Sequence, residues 1–446
     1  MKIINSCSLS ARLRGELPPS VPLPATLQTV GGRWFPFAYL EYCQARRGDR
    51  FTVYPIDMPP FVFLSDPKDI QAVLTADPAE LHPGAGAATI APLIGERSFM
   101  LLEEEEHICG RRAITPAFHR RMVEGQAAIP GDVVEREVAS WPLDCALALH
   151  PRVRSLTLRV ILRRIFSDQD RALEPLHAQL MDMLSVTASF LLQEPKLRHL
   201  PGWRGKWRRF VKQRAAADEL IYALVRERRA QEGGQTADLL DMLLLAENPD
   251  GSAMSERQIR DNLMSMILAG HETTTGELSW AFQLLAHNPH VQDRLIEEID
   301  GGCGEEYLTA TVNETLRRKP VFPFTIPRKV VKPTEIGDWT YRPPAQLAGC
   351  TYLMHHNPEL YPDPHSFRPE RFIEEAPRPR TWLPWGGGRK HCLGRHFALL
   401  EVRTILREVL SKRRVLPAAD RIERPQWRSA ILVPHAGGRV ILRARR

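Results

Sequence analysis

The chain has 446 residues, a formal net charge of +7, 43% hydrophobic and 25% charged residues, a balance that suits a globular protein with a large core and argues against a disordered or fibrous one. It has no run of about 20 apolar residues, and the opening M-K-I-I-N-S-C-S-L-S-A-R-L-R lacks the long apolar core of a secretory leader, so neither membrane anchor nor export is expected and a cytoplasmic location is. Seven cysteines at irregular spacings, with no C-x-x-C pair, exclude a disulfide framework, a zinc ribbon and thioredoxin-like redox chemistry.

In chain order, L-P-P-S-V-P-L-P (Leu17–Pro24) predicts a stiff extended lead-in, so that residues 1–25 form a Pro-rich approach to the fold. Up to about Leu74 the pattern is strand-like with turns, R-F-T-V-Y (Arg50–Tyr54) and F-V-F-L (Phe61–Leu64) being short β-rich runs. Asp66-Pro67 reads as an N-cap with proline at the first helical position, opening a helix to Leu74. His82–Leu102 reads as a long loop. Its G-A-G-A-A-T lacks the third glycine and the strand–helix unit of a dinucleotide fingerprint. From Glu103 to Asp300 the pattern is mostly helical, with breaks at Pro130–Gly131, Pro195, Pro201–Gly202, Gly233–Gly234 and Asn248–Gly251. Within it W-R-G-K-W-R-R-F (Trp203–Phe210) interleaves cations with aromatics. With no nucleic-acid module around it, this is a solvated basic face with its rings turned inward, or a contact with a membrane surface or a protein partner. Short strands return after Pro320, and a last long helix starts near Cys392. No internal repeat or interdomain linker interrupts residues 1–446, which predicts one mainly α domain with a smaller β portion.

Four stretches carry chemistry. W-G-G-G-R-K-H-C-L-G (Trp385–Gly394) sets three glycines and a cysteine before a helical pattern. Glycines let a backbone approach a ligand closely, and a cysteine at a helix start is favoured as thiolate by the helix N–H groups. Such a thiolate is a metal ligand, or a nucleophile if His391 or His396 acts as its base. A-G-H-E-T-T-T (Ala269–Thr275) puts an acid and hydroxyls into an apolar helix, where threonine can bond the carbonyl four residues back. E-T-L-R (Glu314–Arg317) is an i,i+3 pair, and E-E-H-I-C-G-R-R sets His107 and Arg111 on one helical face.

Together, and in this order, the four stretches resemble the signatures of the cytochromes P-450, the haem-thiolate monooxygenases, over essentially Pro18 to the end of the chain. Trp385, Gly388, Lys390, Cys392 and Gly394 fill the haem-binding pattern; Trp385 replaces the usual phenylalanine, and Lys390 the usual arginine or histidine, keeping the charge but not the fork. The resemblance implies a fold with haem b (iron protoporphyrin IX) between a long distal helix and the loop of Cys392, the thiolate ligand. It implies that Glu272 and Thr273 relay protons for oxygen activation, that His107, Arg111, Arg328 and Lys390 hold the haem propionates, and that Glu314 and Arg317 join Arg371 of F-R-P-E-R-F in a buried ion network. The implied activity is hydroxylation, epoxidation or another oxidation of a bulky apolar molecule (terpenoid or steroid, polyketide or fatty-acid-like compound), such as occurs in secondary metabolism. The pocket walls would be Ala87–Phe99, Met181–Leu192 with Phe190, Leu263–Ala269, Val321–Ile326 and Ser429–Val433. Since the chain ends soon after the Cys392 helix, electrons are expected from a separate ferredoxin and ferredoxin reductase, with Arg395, Arg403 and Arg407 as docking or merely solvated cations. A haem-binding sensor or carrier without turnover, and a hydrolase built on Cys392, are the competing readings.

Overall fold

The structure is a computed structural model, described for residues 17–119, 123, 131–167, 170–187, 198, 200–230, 238–302 and 304–445. Its axis is one long helix, Glu256–His287, buried along most of its length. A reciprocal cap starts it: the Ser255 hydroxyl accepts from the Gln258 N–H, and the Gln258 side chain accepts from the Ser255 N–H. Asn288-Pro289 ends it, since Pro289 opens the next helix, Pro289–Gly301. Other elements cover this helix, and its buried positions include polar ones such as Asp261, His271 and Glu272 as well as apolar ones. Leu149–Phe166, Glu306–Arg318 and Arg395–Lys412 are among the elements packed on it.

A five-stranded sheet lies beside this helical body in the order Arg50–Val53, Phe61–Leu64, Gln346–Gly349, Arg328–Val330, Leu81–His82. Phe61–Leu64 pairs with Gln346–Gly349 in parallel, and the other pairs are antiparallel. Ala146–Ala148, Arg439–Ala444 and Arg413–Pro417 form a second sheet of three strands, and Thr334–Tyr341 and Pro425–Pro434 each contain a two-stranded hairpin. The architecture is mainly helical with a smaller β portion.

The helix after Asp66 runs Pro67–Thr75, and the Asp66 carboxylate accepts from the Lys68 and Asp69 N–H groups. Two helices replace the strand-like text before Arg50: Ala25–Trp34 and Pro36–Arg47. Their prolines act as starts, with Pro24 before the first helix and Pro36 at the first turn of the second. Gly31 is needed there because a Cβ would lie 2.5 Å from the Tyr39 ring. The His82–Leu102 region is not an open loop: it contains a 3-10 turn at Gly84–Ile90 and a short helix at Ala91–Ile94. Leu17–Pro24 is non-helical and Ser20 bridges Thr52. In the basic helix Arg204–Ala230, Phe210 is buried and Trp207 packs on the main core, so these rings do turn inward. Residues 1–16, the breaks at Pro130, Pro195 and Gly233–Gly234, and the wall residues 188–192 with Phe190 lie outside the described residues.

Candidate active site

A single cavity brings together residues from distant parts of the sequence: Cys392, Trp385 and Gly394 from the C-terminal loop, Glu272 and Thr273 from the central helix, His107 and Arg111 from the Glu104–Ile114 helix, and Arg328 and Lys390. Its other walls are chiefly aliphatic and aromatic, including Phe99, Met266, Phe322, Phe324 and Ile431. Ser429 and Ala430 also line it.

The cysteine loop is tied down before its helix begins. That helix is Arg395–Lys412 with Gly394 as its N-cap, so Cys392 precedes it rather than starting it. The Cys392 N–H donates to the Trp385 carbonyl at 3.0 Å, and the Arg111 guanidinium donates to the His391 carbonyl at 2.5 Å. Burial pushes the Cys392 thiol up, against the lowering pull of the Gly394 and Arg395 N–H groups and of the Arg111 and Arg395 charges. In the protein by itself burial thus works against the N–H groups expected to favour the thiolate, whereas a metal bound to the sulfur would deprotonate it outright.

The glycines divide the work differently from the expectation. Gly386, Gly387 and Gly394 line the cavity, and a Cβ on Gly386 or Gly394 would meet nothing within 4 Å. Gly388 faces away. Its φ is +62°, and a Cβ there would sit 2.0 Å from the carbonyl oxygen of Leu74. Gly388 therefore answers to the Pro67–Thr75 helix behind the loop, not to a flat ligand in front of it.

Cations gather around Lys390. Its ammonium donates to the carbonyls of Met100 and Leu102 at 3.2 and 3.0 Å. Burial pulls it down to about 8, with Arg328 and Arg111 adding and Glu103 opposing. Burial likewise lowers Arg328 to about 10, against Glu103, and lowers His107 to about 3, helped by Lys390, Arg111, Arg328 and Arg389. His107 is therefore neutral. The buried Nε2 of His107, Nε of Arg328 and Nε1 of Trp385 have no hydrogen-bond partner among the described residues. Unmade donors beside a cationic cluster suit an anionic ligand edge.

On the central helix, the Glu272 carboxylate accepts from Arg154 Nε at 3.1 Å and lies 3.5 Å from His271 Nε2. Burial alone would raise this carboxyl, but His271, Arg154 and Arg428 outweigh it and hold it low. The Thr157 hydroxyl is 2.9 Å from both His271 Nδ1 and the Thr275 hydroxyl, which fixes this face of the helix. The Thr273 hydroxyl donates to the Ala269 carbonyl at 2.6 Å, the four-back bond its position predicts. Arg154 was not legible as a partner, since nothing local in the sequence points from it to Glu272.

Behind the cavity, Glu314, Arg317 and Arg371 are joined. Arg317 Nε and Nη2 donate to the Glu314 carboxylate at 2.7 and 2.8 Å, and Arg371 Nε donates at 3.1 Å. Arg317 also donates to the carbonyls of His355, Pro364 and Ser366. On the Cys392 helix, Arg403 and Arg407 share the carboxylate of Glu305, so two of the three cations expected on the docking face are offset only in part.

A cysteine loop, a cationic cluster and an acid–alcohol helix around one apolar cavity define the class of haem-thiolate proteins. The family profile of cytochrome P450 matches residues 16–442, and the chain belongs to that family. It is 34% identical over 439 residues to cytochrome P450 135B1 of Mycobacterium bovis and of Mycobacterium tuberculosis, covering 96% of this chain and 92% of the relative. It is 32% identical to cytochrome P450 137 of Mycobacterium tuberculosis over the same shares. Among solved structures it is similar to the retinoic-acid-bound cyanobacterial CYP120A1, with a TM-score of 0.83 and 20% identity over 96% of this chain and 100% of that one. It is also similar to the cytochrome P450DA haem domain, with a TM-score of 0.82 and 23% identity over 97% and 98% of the two chains. The chain is accordingly a haem-thiolate monooxygenase, an oxidoreductase acting on a small molecule with electrons from redox partners, and the hydrolase reading falls away. The site fits haem, given the open space before Gly386 and Gly394 and the unmade donors of His107 and Arg328. Among the described residues no helix is long and apolar enough to cross a membrane.

Proposed function

We propose that Cys392 would supply the thiolate that holds the haem iron of this monooxygenase and that its substrate is a bulky apolar molecule of secondary metabolism, of the terpenoid or steroid, polyketide or fatty-acid-like kind. The observation that carries this reading is that Cys392 and Thr273 open onto one cavity with mainly apolar walls. Haem supplies the iron at which dioxygen is activated, one oxygen atom entering the substrate and the other leaving as water. Arg111, Arg328 and Lys390 offset the propionate charges, and neutral His107 donates a hydrogen bond to them. Trp385 and Gly394 shape the sulfur's surroundings, and Gly388 seats the loop on the Pro67–Thr75 helix. Glu272, held ionised by His271 and Arg154, directs a proton along the cavity wall. The Thr273 hydroxyl, released from Ala269, hands it into the cavity. Phe99, Met266 and Phe322 keep bulk water away and select an apolar ligand. Electrons come from a separate ferredoxin and its reductase, docking on cations of the Cys392 side such as Arg395.

Reduction of the purified protein under carbon monoxide should give the strongly red-shifted Soret band of thiolate-ligated haem. A Cys392→Ala protein that still gave this band would remove Cys392 from the role.

A further inference from the structure

One buried acid in the cavity wall has no task so far. Glu277 lies on the central helix four residues after Thr273, hence on the same face, and both line the cavity. It is 4% exposed, and neither carboxyl oxygen has a hydrogen-bond partner among the described residues. Its immediate predecessor, Gly276, brings the helix against Val321 and Ile431: a Cβ there would be 2.9 and 3.2 Å from their side chains. Both of these aliphatic residues also line the cavity.

Several other buried acids have a guanidinium beside them. Glu272 has Arg154, Glu314 has Arg317 and Arg371, and Asp261 has Arg260. Glu401 has no such guanidinium, and its oxygens too lack a hydrogen-bond partner among the described residues, but it lies outside the cavity wall. For Glu277 burial acts alone and pushes the carboxyl well up. It therefore keeps its proton and presents one O–H donor and one carbonyl acceptor to the cavity. Leaving such buried groups unpaired is unfavourable. A ligand that supplies the missing partner recovers that cost.

We propose that Glu277 is the polar anchor of the substrate cavity, donating its O–H to a neutral hydrogen-bonding oxygen, a ketone or hydroxyl, on an otherwise apolar substrate. An ammonium group fits less well, because pairing with it would place two charges among Val321, Ile431 and their aliphatic neighbours. The inference rests on the cavity being the substrate site, and it narrows that substrate to an oxygenated one.

The test uses the ferric holoprotein and three probes of one skeleton: decalin, 2-decalone and 2-aminodecalin. Each is titrated by calorimetry and by its displacement of 4-phenylimidazole, read at the Soret band. In the unchanged protein the ketone should bind about tenfold more tightly than the hydrocarbon. In Glu277→Leu and Glu277→Val the two should bind within about twofold of each other, whereas Glu277→Gln, which keeps a donor, should retain part of the preference. An infrared band of a protonated carboxyl, absent from Glu277→Gln, should move to lower frequency when the ketone binds. Equal affinity for ketone and hydrocarbon in the unchanged protein, preference for the amine, or a preference that survives Glu277→Leu or Glu277→Val would overturn the anchor. If decalin and decalone displace phenylimidazole equally, only the anchor fails. If neither displaces it, the substrate-site reading fails with it.

Discussion

The imidazole Nε2 of His355 accepts a hydrogen bond from the backbone N–H of Leu383 at 3.0 Å, while the carbonyl of His355 receives Arg317 at 2.8 Å. One residue thus joins the Glu314–Arg317 ion network to the chain that leads into Trp385 and Cys392. Its ring is fully buried. Nε2 can accept only while it is unprotonated.

This contact predicts acid sensitivity. Burial first, and then Arg317, lower His355 from 6.5 to about 3. Between these values the unfolded chain binds a proton that the folded one refuses. Stability is therefore complete above 6.5 and is lost as pH falls below it, by about 1.4 kcal/mol per pH unit for this group. His150, also buried and lowered to about 3, adds in the same direction. Urea unfolding between pH 8 and 4 measures the slope. His355→Gln, whose amide oxygen accepts at every pH, should make it shallower, and an unchanged slope would free His355 from this account.

Gly388 and Gly394 should respond differently to alanine. In Gly388→Ala the new Cβ meets the Leu74 carbonyl in a left-handed backbone, so the haem-free protein should lose at least about 2 kcal/mol of stability. Gly394→Ala has open space and an ordinary φ of −78°, so haem-free stability should stay within about 0.5 kcal/mol while haem retention falls. Urea midpoints of the haem-free proteins and Soret absorbance after gel filtration separate the two effects.

Thr273→Ala removes only a local bond to Ala269 and should leave folding nearly unchanged. With surrogate ferredoxin and reductase, product formed per NADPH should nonetheless fall about tenfold or more, with peroxide rising to match. Thr273→Ser, which restores the hydroxyl, should recover most of the coupling. Equal coupling in all three proteins would take Thr273 out of proton delivery.

What the sequence displayed and what it hid follow from distance along the chain. The cysteine loop, Glu314–Arg317 and His107–Arg111 are local spacings, so their shared faces and turns follow from helix geometry. The pairing of Glu272 with Arg154 and the bond from Leu383 to His355 join separate segments, with no local pattern to announce them. Gly388 was visible as a glycine, but its reason lies in Leu74. The Cys392 thiol was judged from its helix, whereas its burial comes from the whole cavity. Glu277 was within reach: it stands one turn after Thr273 in T-T-T-G-E-L, and helical periodicity alone would have placed it on that face.

The parallel pairing of Phe61–Leu64 with Gln346–Gly349 has a bearing on synthesis. The first hairpin leaves the ribosome early, yet the strand that covers its inner edge belongs to the last third of the chain. Until that strand emerges, Phe61, Val62, Phe63 and Leu64 present an apolar ribbon with unpaired backbone groups, the kind of edge that invites chaperones or other nascent chains. The yield of folded enzyme should therefore depend on how well this ribbon is shielded during translation.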